Sequence, residues 1–309
     1  MGFPSLKKIN GVRFLLALRK RIMSYLCLRS EKGNKIVMKK NRKMDLALNG
    51  KIAIVTGGSK GIGKGIAKTL ANEGCNLSIC ARNQEELQKA AKELETDDVR
   101  VLPVTADLTN ETDIQKLVDS TSEEFGRIDI LINNAGTIGN PGTLEQVSVL
   151  DWKDLFELNV FAVVALTQKV IPFMKKGQWG RIINISSENG EQPYPDMIHY
   201  NASKAALNNF SKALSKQYAE DGILVNTVSP AFIETPLVHS MMKQMADEQG
   251  ITKEEAVKQF LKNNRPHIEL KRAGTIEEVG ALVAFLASEK ASFINGANYR
   301  VDGGSVASM

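Results

Sequence analysis

The sequence predicts an α/β fold, a doubly wound parallel sheet of about seven strands with helices on both faces and a small helical lid. Three observations predict it. Short apolar runs alternate with stretches of helical period. A glycine-rich turn joins the first run to the first helix without a linker. From residue 46 onward there is neither a 20 to 50 residue repeat nor a low-complexity segment.

The strand-like runs are KIAIVT (51–56), NLSIC (76–80), VRVLPV (99–104), IDILIN (128–133), RIINIS (181–186), ILVNTV (223–228) and FINGANYRV (293–301). Between them, GIGKGIAKTLANEG places Ile62, Ile66, Ala67 and Leu70 on one helical face, and EELQKAAKELE does the same with Leu87, Ala91 and Leu94. Alternation breaks at residues 236–265, read as two short helices inserted before a helix that begins near Thr275, which suits a lid. Residues 46–309 are therefore expected to form one domain.

The chain has 309 residues and a formal charge of +5. Residues 1–45 hold 13 Lys and Arg against Glu31 and Asp45, a net of +11, while the remainder has 27 basic and 33 acidic residues. The folded part is thus mildly acidic, and the high pI is no sign of nucleic-acid binding. Cys27, Cys75 and Cys80 lack C-x-x-C spacing and fit a reducing, cytoplasmic setting. His199, His239 and His267 do not pair at metal-ligand spacing, so no metal is expected.

Residues 8–28 interleave apolar and basic residues, with at most seven uncharged in a row, too few to span a bilayer. The extension reads as an organelle transit segment, as a surface-lying amphipathic segment, or as a disordered tail or over-extended start upstream of Met44. Leu6 stands where a myristoylation motif needs Ser or Thr.

The first run ends in Thr56-Gly57-Gly58-Ser59-Lys60-Gly61-Ile62-Gly63. Residues without Cβ let a backbone approach a pyrophosphate at a helix N-terminus, so this is a nucleotide-binding turn. Gly58 to Lys64 nearly spells a P-loop, but Gly65 stands where a hydroxyl must meet magnesium. Gly57 to Gly61 also fits G-x-S-x-G, yet an α/β hydrolase would need one of three poorly placed histidines to complete its triad.

Further along stand Asn133-Asn134-Ala135-Gly136, Ser186-Ser187 and Tyr200-Asn201-Ala202-Ser203-Lys204. Tyr200 and Lys204 are four apart and share a helix face, where an ammonium would pull the phenol down from ~10 toward the working range of a general acid/base. In order and spacing these motifs, with T-G-x-x-x-G-x-G, resemble the single-domain short-chain dehydrogenase/reductases over about residues 46–305. The resemblance implies a Rossmann-like domain and hydride transfer between a nicotinamide and a carbonyl or secondary alcohol. It implies Ser187 as the hydroxyl that bonds the substrate oxygen, with Ser186 facing away, Tyr200 as acid/base, and Asn159 as holder of a water that relays protons to Lys204. With the tetrad intact, a non-catalytic nucleotide-binding scaffold is disfavoured.

In such folds a carboxylate after the second strand binds the ribose of NAD. This chain has Cys80-Ala81-Arg82-Asn83, and Arg82 with Lys60 can pair with a 2′-phosphate, so NADP(H) is favoured over NAD(H). The resemblance assigns Gly57, Ser59, Lys60, Gly61, Ile62 and Gly63 to the phosphates. It assigns Asp107 and Leu108 to adenine and Asn134, Ala135 and Gly136 to the adenosine ribose. Pro230, Ile233 and Thr235 are assigned to the nicotinamide, although Ala231 replaces the family's frequent Gly. Tyr200 and Lys204 also belong to the cofactor set.

Leu237, Val238, Met241, Met242 and Met245 give the lid an adaptable apolar surface, or else pack it onto the domain. Much of the chain is similar to 3-oxoacyl-carrier-protein reductases. Asp221 nevertheless stands where those enzymes tend to carry a basic residue facing the acidic carrier, leaving Lys175 and Lys176 to contribute. A homotetramer is implied, with helices near 152–175 and 200–220 pairing across subunits.

Overall fold

The computed structural model describes residues 44–308; the basic extension, with the readings attached to it, lies outside the described residues. Seven strands form one all-parallel sheet in the order β3-β2-β1-β4-β5-β6-β7. They are β1 Ile52–Thr56, β2 Asn76–Ala81, β3 Val101–Thr105, β4 Ile130–Asn133, β5 Gly180–Ile185, β6 Ile223–Pro230 and β7 Asn298–Val301. The chain winds outward from β1 to β3, returns to β4 on the other side of β1, and winds outward again. Helices that follow β1 and β4 therefore leave toward opposite faces, and a crevice opens above the carboxyl ends of these two strands.

The run read as 293–301 shortens to four residues of strand. Phe293 is exposed and Gly296 turns the chain at φ +70°, so its first half wraps the sheet edge instead of joining it. Asn295 there accepts the Val225 amide and donates to the Ser215 carbonyl, doing with a side chain what a ladder does with backbone.

The helices are α1 Gly61–Asn72, α2 Gln84–Leu94, α3 Glu111–Phe125, α4 Val149–Phe156, α5 Ala162–Gly177, α6 Ile198–Gln217, α7 Pro236–Gln249, α8 Lys253–Asn264 and α9 Ile276–Ala287. Asn83, Asn110, Ser148, Thr235, Thr252 and Thr275 cap the N-termini of α2, α3, α4, α7, α8 and α9 with their side chains. Two cores result. On one face, Ile66, Leu70, Leu77, Ile79, Val279 and Val283 meet; on the other, Ile54, Leu117, Leu131, Leu166 and Ile182.

Between α4 and α5 the helix does not break but widens into a π turn, Glu157–Phe161. The whole segment Val149–Gly177 is long and apolar enough to cross a membrane by composition, with mean hydropathy 1.4, yet half of its apolar window is buried in the fold. Phe161 is 55% exposed and Val149 72%.

The two inserted helices α7 and α8 pack on each other around Met242, Leu261, Phe232 and Ile268, with Val238 and Met245 against them. Met242, Met245 and Val238 thus serve the insertion's own core, whereas Leu237 and Met241 stay exposed, at 72% and 40%.

Helix α9 lies along α1. A Cβ on Gly65 would overlap the Ile276 side chain, and one on Gly280 would press on Thr69. Gly65, the residue that bars a P-loop reading, is thus a point of helix-to-helix contact. Gly65→Ala should lower stability by about 1–3 kcal/mol, because the overlap outweighs the gain in helix propensity. A urea melt checks this; an unchanged or raised midpoint would show that the helices part at no cost.

Candidate active site

The crevice between β1 and β4 is held together by one hydroxyl. Thr56 Oγ1 donates to the Ile132 carbonyl at 3.2 Å and accepts the amides of Asn134 and Ala135, each at 2.9 Å. Asn134 returns the contact, its Nδ2 donating to the Thr56 carbonyl at 2.8 Å. The end of β1 and the loop after β4 are thus one rigid unit.

Glycines are required around it. Gly57 and Gly61 adopt φ +65° and +58°. A Cβ on Gly63 would run into the Gly57 carbonyl, and one on Gly57 would come within 2.9 Å of Asn134 Nδ2. The open space above this cradle is a cleft of about 600 Å³. Its walls include Gly57, Ser59, Lys60, Gly61, Ile62, Gly63, Arg82, Asp107, Leu108, Asn134, Ala135, Gly136 and Thr235. Pro230 and Ile233 lie outside that lining; Ile233 is buried in the core, paired with Gly274. Glu86, Asn83, Thr109 and Leu237 line the cleft without having been expected to.

The charges at the adenosine end differ in their partners. Lys60 pairs with Glu86 at 3.3 Å. Arg82 makes no ion pair among the described residues and is exposed on the cleft wall. Asp107 is held below the usual carboxylate range by the amide and hydroxyl of Thr109, with Arg82 assisting.

Outside the lining of the cleft, but next to it where a Cβ on Gly136 would come within 3.7 Å of Lys204 Nζ, β5 delivers Ser186 and Ser187, and α6 delivers Tyr200 and Lys204. Ser186 turns inward to donate to the Lys204 carbonyl at 3.2 Å, while Ser187 is the hydrogen-bond partner of the Tyr200 phenol. Lys204 is buried, donates to the Ile185 carbonyl at 2.9 Å, and sits over the Tyr200 ring, 5.6 Å from its centroid. Beneath the site a buried polar ladder ties β4, β5 and α6: Asn133 Nδ2 donates to Asn184 at 2.8 Å, and Asn184 Nδ2 to Ser211 at 2.7 Å.

The geometry corrects one expectation. Burial raises the Tyr200 phenol; the Ser187 hydrogen bond and Arg265 oppose this and Glu188 adds to it. The Lys204 ammonium, which faces the ring and bonds to a main-chain carbonyl, does not bring the phenol below its ordinary value. The strain instead falls on Lys204, whose own pKa burial pushes down to about 8.

Asn159 sits in the π turn and is buried. Its Oδ1 accepts the Thr137 amide at 2.9 Å, and its Nδ2 donates to the Thr137 carbonyl at 2.8 Å and to Ser203 at 3.2 Å. Ser203 in turn donates to the Tyr200 carbonyl. The Asn159 amide therefore braces the loop after β4 against the helix that carries Tyr200 and Lys204. Single-turn π segments are frequent at functional sites.

Three residues near Ser187 went unnoticed in the sequence. Asn189 accepts the Ser187 hydroxyl at 3.1 Å and donates its Nδ2 to Asn201 at 2.8 Å. Glu188 is buried, accepts the Tyr194 hydroxyl at 3.0 Å, and is raised above the usual carboxylate range by that burial. A glutamate beside the Ser187 position was the one available signal.

A short chain dehydrogenase family model matches residues 51–246. The chain belongs to that family. It is similar to D-β-hydroxybutyrate dehydrogenase of Cupriavidus necator, at 34% identity over 84% of this chain and 99% of the relative. It is also similar to a 3-oxoacyl-[acyl-carrier-protein] reductase of Aquifex aeolicus, at 36% identity over 84% and 99%. Among solved structures, L-sorbose reductase of Gluconobacter frateurii, complexed with NADPH and L-sorbose, matches with a TM-score of 0.81 and 35% identity. That match covers 86% of this chain and 100% of the reductase. The dehydrogenase is thus an oxidoreductase acting on CH–OH groups, with the family's Rossmann-like sheet.

The buried lysine of this dehydrogenase has a measurable consequence. A lysine whose folded pKa lies near 8 binds fewer protons than the unfolded one above that pH. Stability therefore rises as pH climbs from about 8 toward the ordinary ~10.4, and the full cost of the buried charge is present below 8. Lys204→Met should be more stable than the parent at pH 7, by up to about 3 kcal/mol, with the advantage shrinking toward pH 10. Urea melts at three pH values test it; an offset that does not change with pH would refute the depressed lysine.

Proposed function

We propose that this chain is an NADP(H)-dependent oxidoreductase that interconverts a carbonyl and a secondary alcohol, with Tyr200 as general acid/base. The observation that carries this reading is the assembly of Ser187, Tyr200 and Lys204 next to Gly136, which lines a glycine-floored cleft whose wall carries Arg82, without an ion pair among the described residues. When bound, the nicotinamide supplies or accepts the hydride.

The cleft fits such a cofactor. Its floor has no Cβ where a pyrophosphate would press closest, and α1 points its N-terminus there. Arg82 would take the 2′-phosphate through its planar fork, and Lys60 would join by leaving Glu86. Similarity to the NADPH-bound sorbose reductase supports the choice of NADP(H). Asp107, Leu108, Asn134, Ala135 and Gly136 would flank the adenosine, with Thr235 toward the nicotinamide.

In reduction, Ser187 would turn its hydroxyl from Asn189 to the substrate oxygen. Tyr200 would give its proton to that oxygen as negative charge develops there. The resulting phenolate is then held by the nearby ammonium of Lys204. Burial keeps the resting Tyr200 phenol protonated, the form that donates in reduction. The Asn159 side chain spends both amide hydrogens and one oxygen lone pair within the protein, so a relay water would be held by the remaining Oδ1 lone pair or by main chain of the π turn.

A 3-oxoacyl-carrier-protein reductase is the second reading, and the Aquifex relative favours it. Lys175, however, pairs with Asp221 at 3.1 Å, which removes a cation that an acidic carrier would need. A homotetramer would cover the exposed Val149, Leu150 and Phe161 along α4 and α5.

Fluorescence titration should show NADPH binding more tightly than NADH. Arg82→Asp should weaken NADPH about 10- to 100-fold while changing NADH little; equal losses for both would remove the 2′-phosphate contact. Tyr200→Phe should lower kcat on the order of 1,000-fold and leave NADPH affinity intact. Turnover that survives this substitution would place the proton donor elsewhere.

A further inference from the structure

Arg265 ends α8, the second inserted helix, and caps it. It lies outside the cofactor cleft and beside the catalytic loop. Its guanidinium stacks over the Tyr194 ring at 4.1 Å from the centroid, with the Phe260 ring at 5.9 Å. Tyr194 belongs to the segment that joins Ser187 to Tyr200. A second contact runs from Arg265 Nη2 to Met197 Sδ at 3.6 Å; Met197 Sδ meets Asn189 Nδ2 at 3.6 Å, and Asn189 holds Ser187. Arg265 thus stands two side chains from the hydroxyl that receives the substrate oxygen. Its charge reaches the reacting phenol, where it opposes the effect of burial.

Arg265 makes no ion pair among the described residues, whereas its neighbours in sequence Lys271 and Arg272 pair with Glu269 and Glu278. The carboxyl whose charge it feels is Glu188, which makes its hydrogen bond with the Tyr194 hydroxyl; burial raises Glu188 and Arg265 opposes that rise from a distance, without an ion pair between them. Of the five guanidinium donors, one serves the Asn264 carbonyl and one the weak sulfur acceptor of Met197. The rest have no acceptor among the described residues. An arginine held against the Tyr194 ring is pre-oriented, and a planar fork with free donors matches the two oxygens of a carboxylate.

We propose that Arg265 is a specificity-determining residue that binds the carboxylate of an oxo-acid or hydroxy-acid substrate while the reacting oxygen lies against Ser187 and Tyr200. This rests on the reductase reading above and deepens it. One guanidinium matches one negative charge; a phosphate dianion would call for a second cation at the same spot. The exposed Leu237 and Met241 of α7 would then face the carbon chain between the two ends.

The test pairs acids with neutral counterparts: 2-, 3- and 4-oxo acids against their methyl esters, and dihydroxyacetone phosphate against dihydroxyacetone, each with NADPH. The expected result is that one acid exceeds its ester at least tenfold in kcat/KM. Arg265→Gln should bring the acid-to-ester ratio of kcat/KM down by about 10- to 100-fold, with the extra loss on the acid carried by KM. Arg265→Lys should recover part of it, keeping the charge without the fork. Calorimetric titration of the Tyr200→Phe protein and its Arg265→Gln double variant with the same acid reads binding without turnover, and only the former should bind.

Esters turned over as well as acids, or equal losses on acid and ester in Arg265→Gln, would overturn the proposal and leave the reductase reading standing. A preference for the phosphate over every acid would overturn the carboxylate assignment. Absence of turnover on all pairs by a protein that also fails to bind NADPH would overturn both.

Discussion

The structure depends on a reversal of winding between two neighbouring parallel strands. Because the chain leaves β1 and β4 in opposite directions, no crossover can roof the gap between them, and main-chain amides line a crevice. Such a gap would be soft if each side were anchored only to its own helix. Thr56 prevents this by accepting two amides from the loop after β4 while donating back into that strand. Every distance across the cleft, from Arg82 to Gly136, is referred to that hydroxyl.

The second constraint is electrostatic. A primary ammonium has been taken out of water with one carbonyl as partner, and the cost appears as the lowered pKa of Lys204. A phenol beside it is raised by the same low-dielectric surroundings. Two groups whose ordinary pKa values nearly coincide thus differ in the direction they move, the lysine toward losing its proton and the tyrosine toward keeping it. A charged ligand near either one alters both, so the nearby Glu188 and Arg265 belong to the electrostatics of the pair.

Much of this was legible in the chain. Apolar runs marked seven strands because a sheet covered on both faces must be apolar throughout, and the glycine turn marked the crevice because only backbone without Cβ fits there. The inserted helices were legible from a break in alternation. Legibility failed where the cause is tertiary. The run beginning at Phe293 looked like one strand, since pattern says nothing of which half finds a neighbour. Asn159 was expected to hold a water, and nothing in its surroundings in the sequence tells that its amide also bonds Thr137, a residue 22 positions away. Nothing in Glu188 itself tells that Tyr194 and the C-terminal Ser305 close over it. Residue types suggested a phenol lowered by its lysine, and the net shift of Tyr200 is upward, because burial cannot be read from spacing.

The π turn at Glu157–Phe161 has a meaning for how this helix tolerates change in length. It holds one residue more than an α-helical turn of the same rise, so deleting any one of its five residues would let the helix straighten. Five residues in the wider turn cover about the same rotation and rise as four in an α-helix, so the helix on either side would keep its facing. The change would be local: Asn159 would leave Thr137, and the brace between the loop after β4 and α6 would go. The bulge is therefore an extra residue absorbed within one turn. A residue gained or lost elsewhere along Val149–Gly177 would instead rotate the far end by about 100° and carry the active-site loop with it.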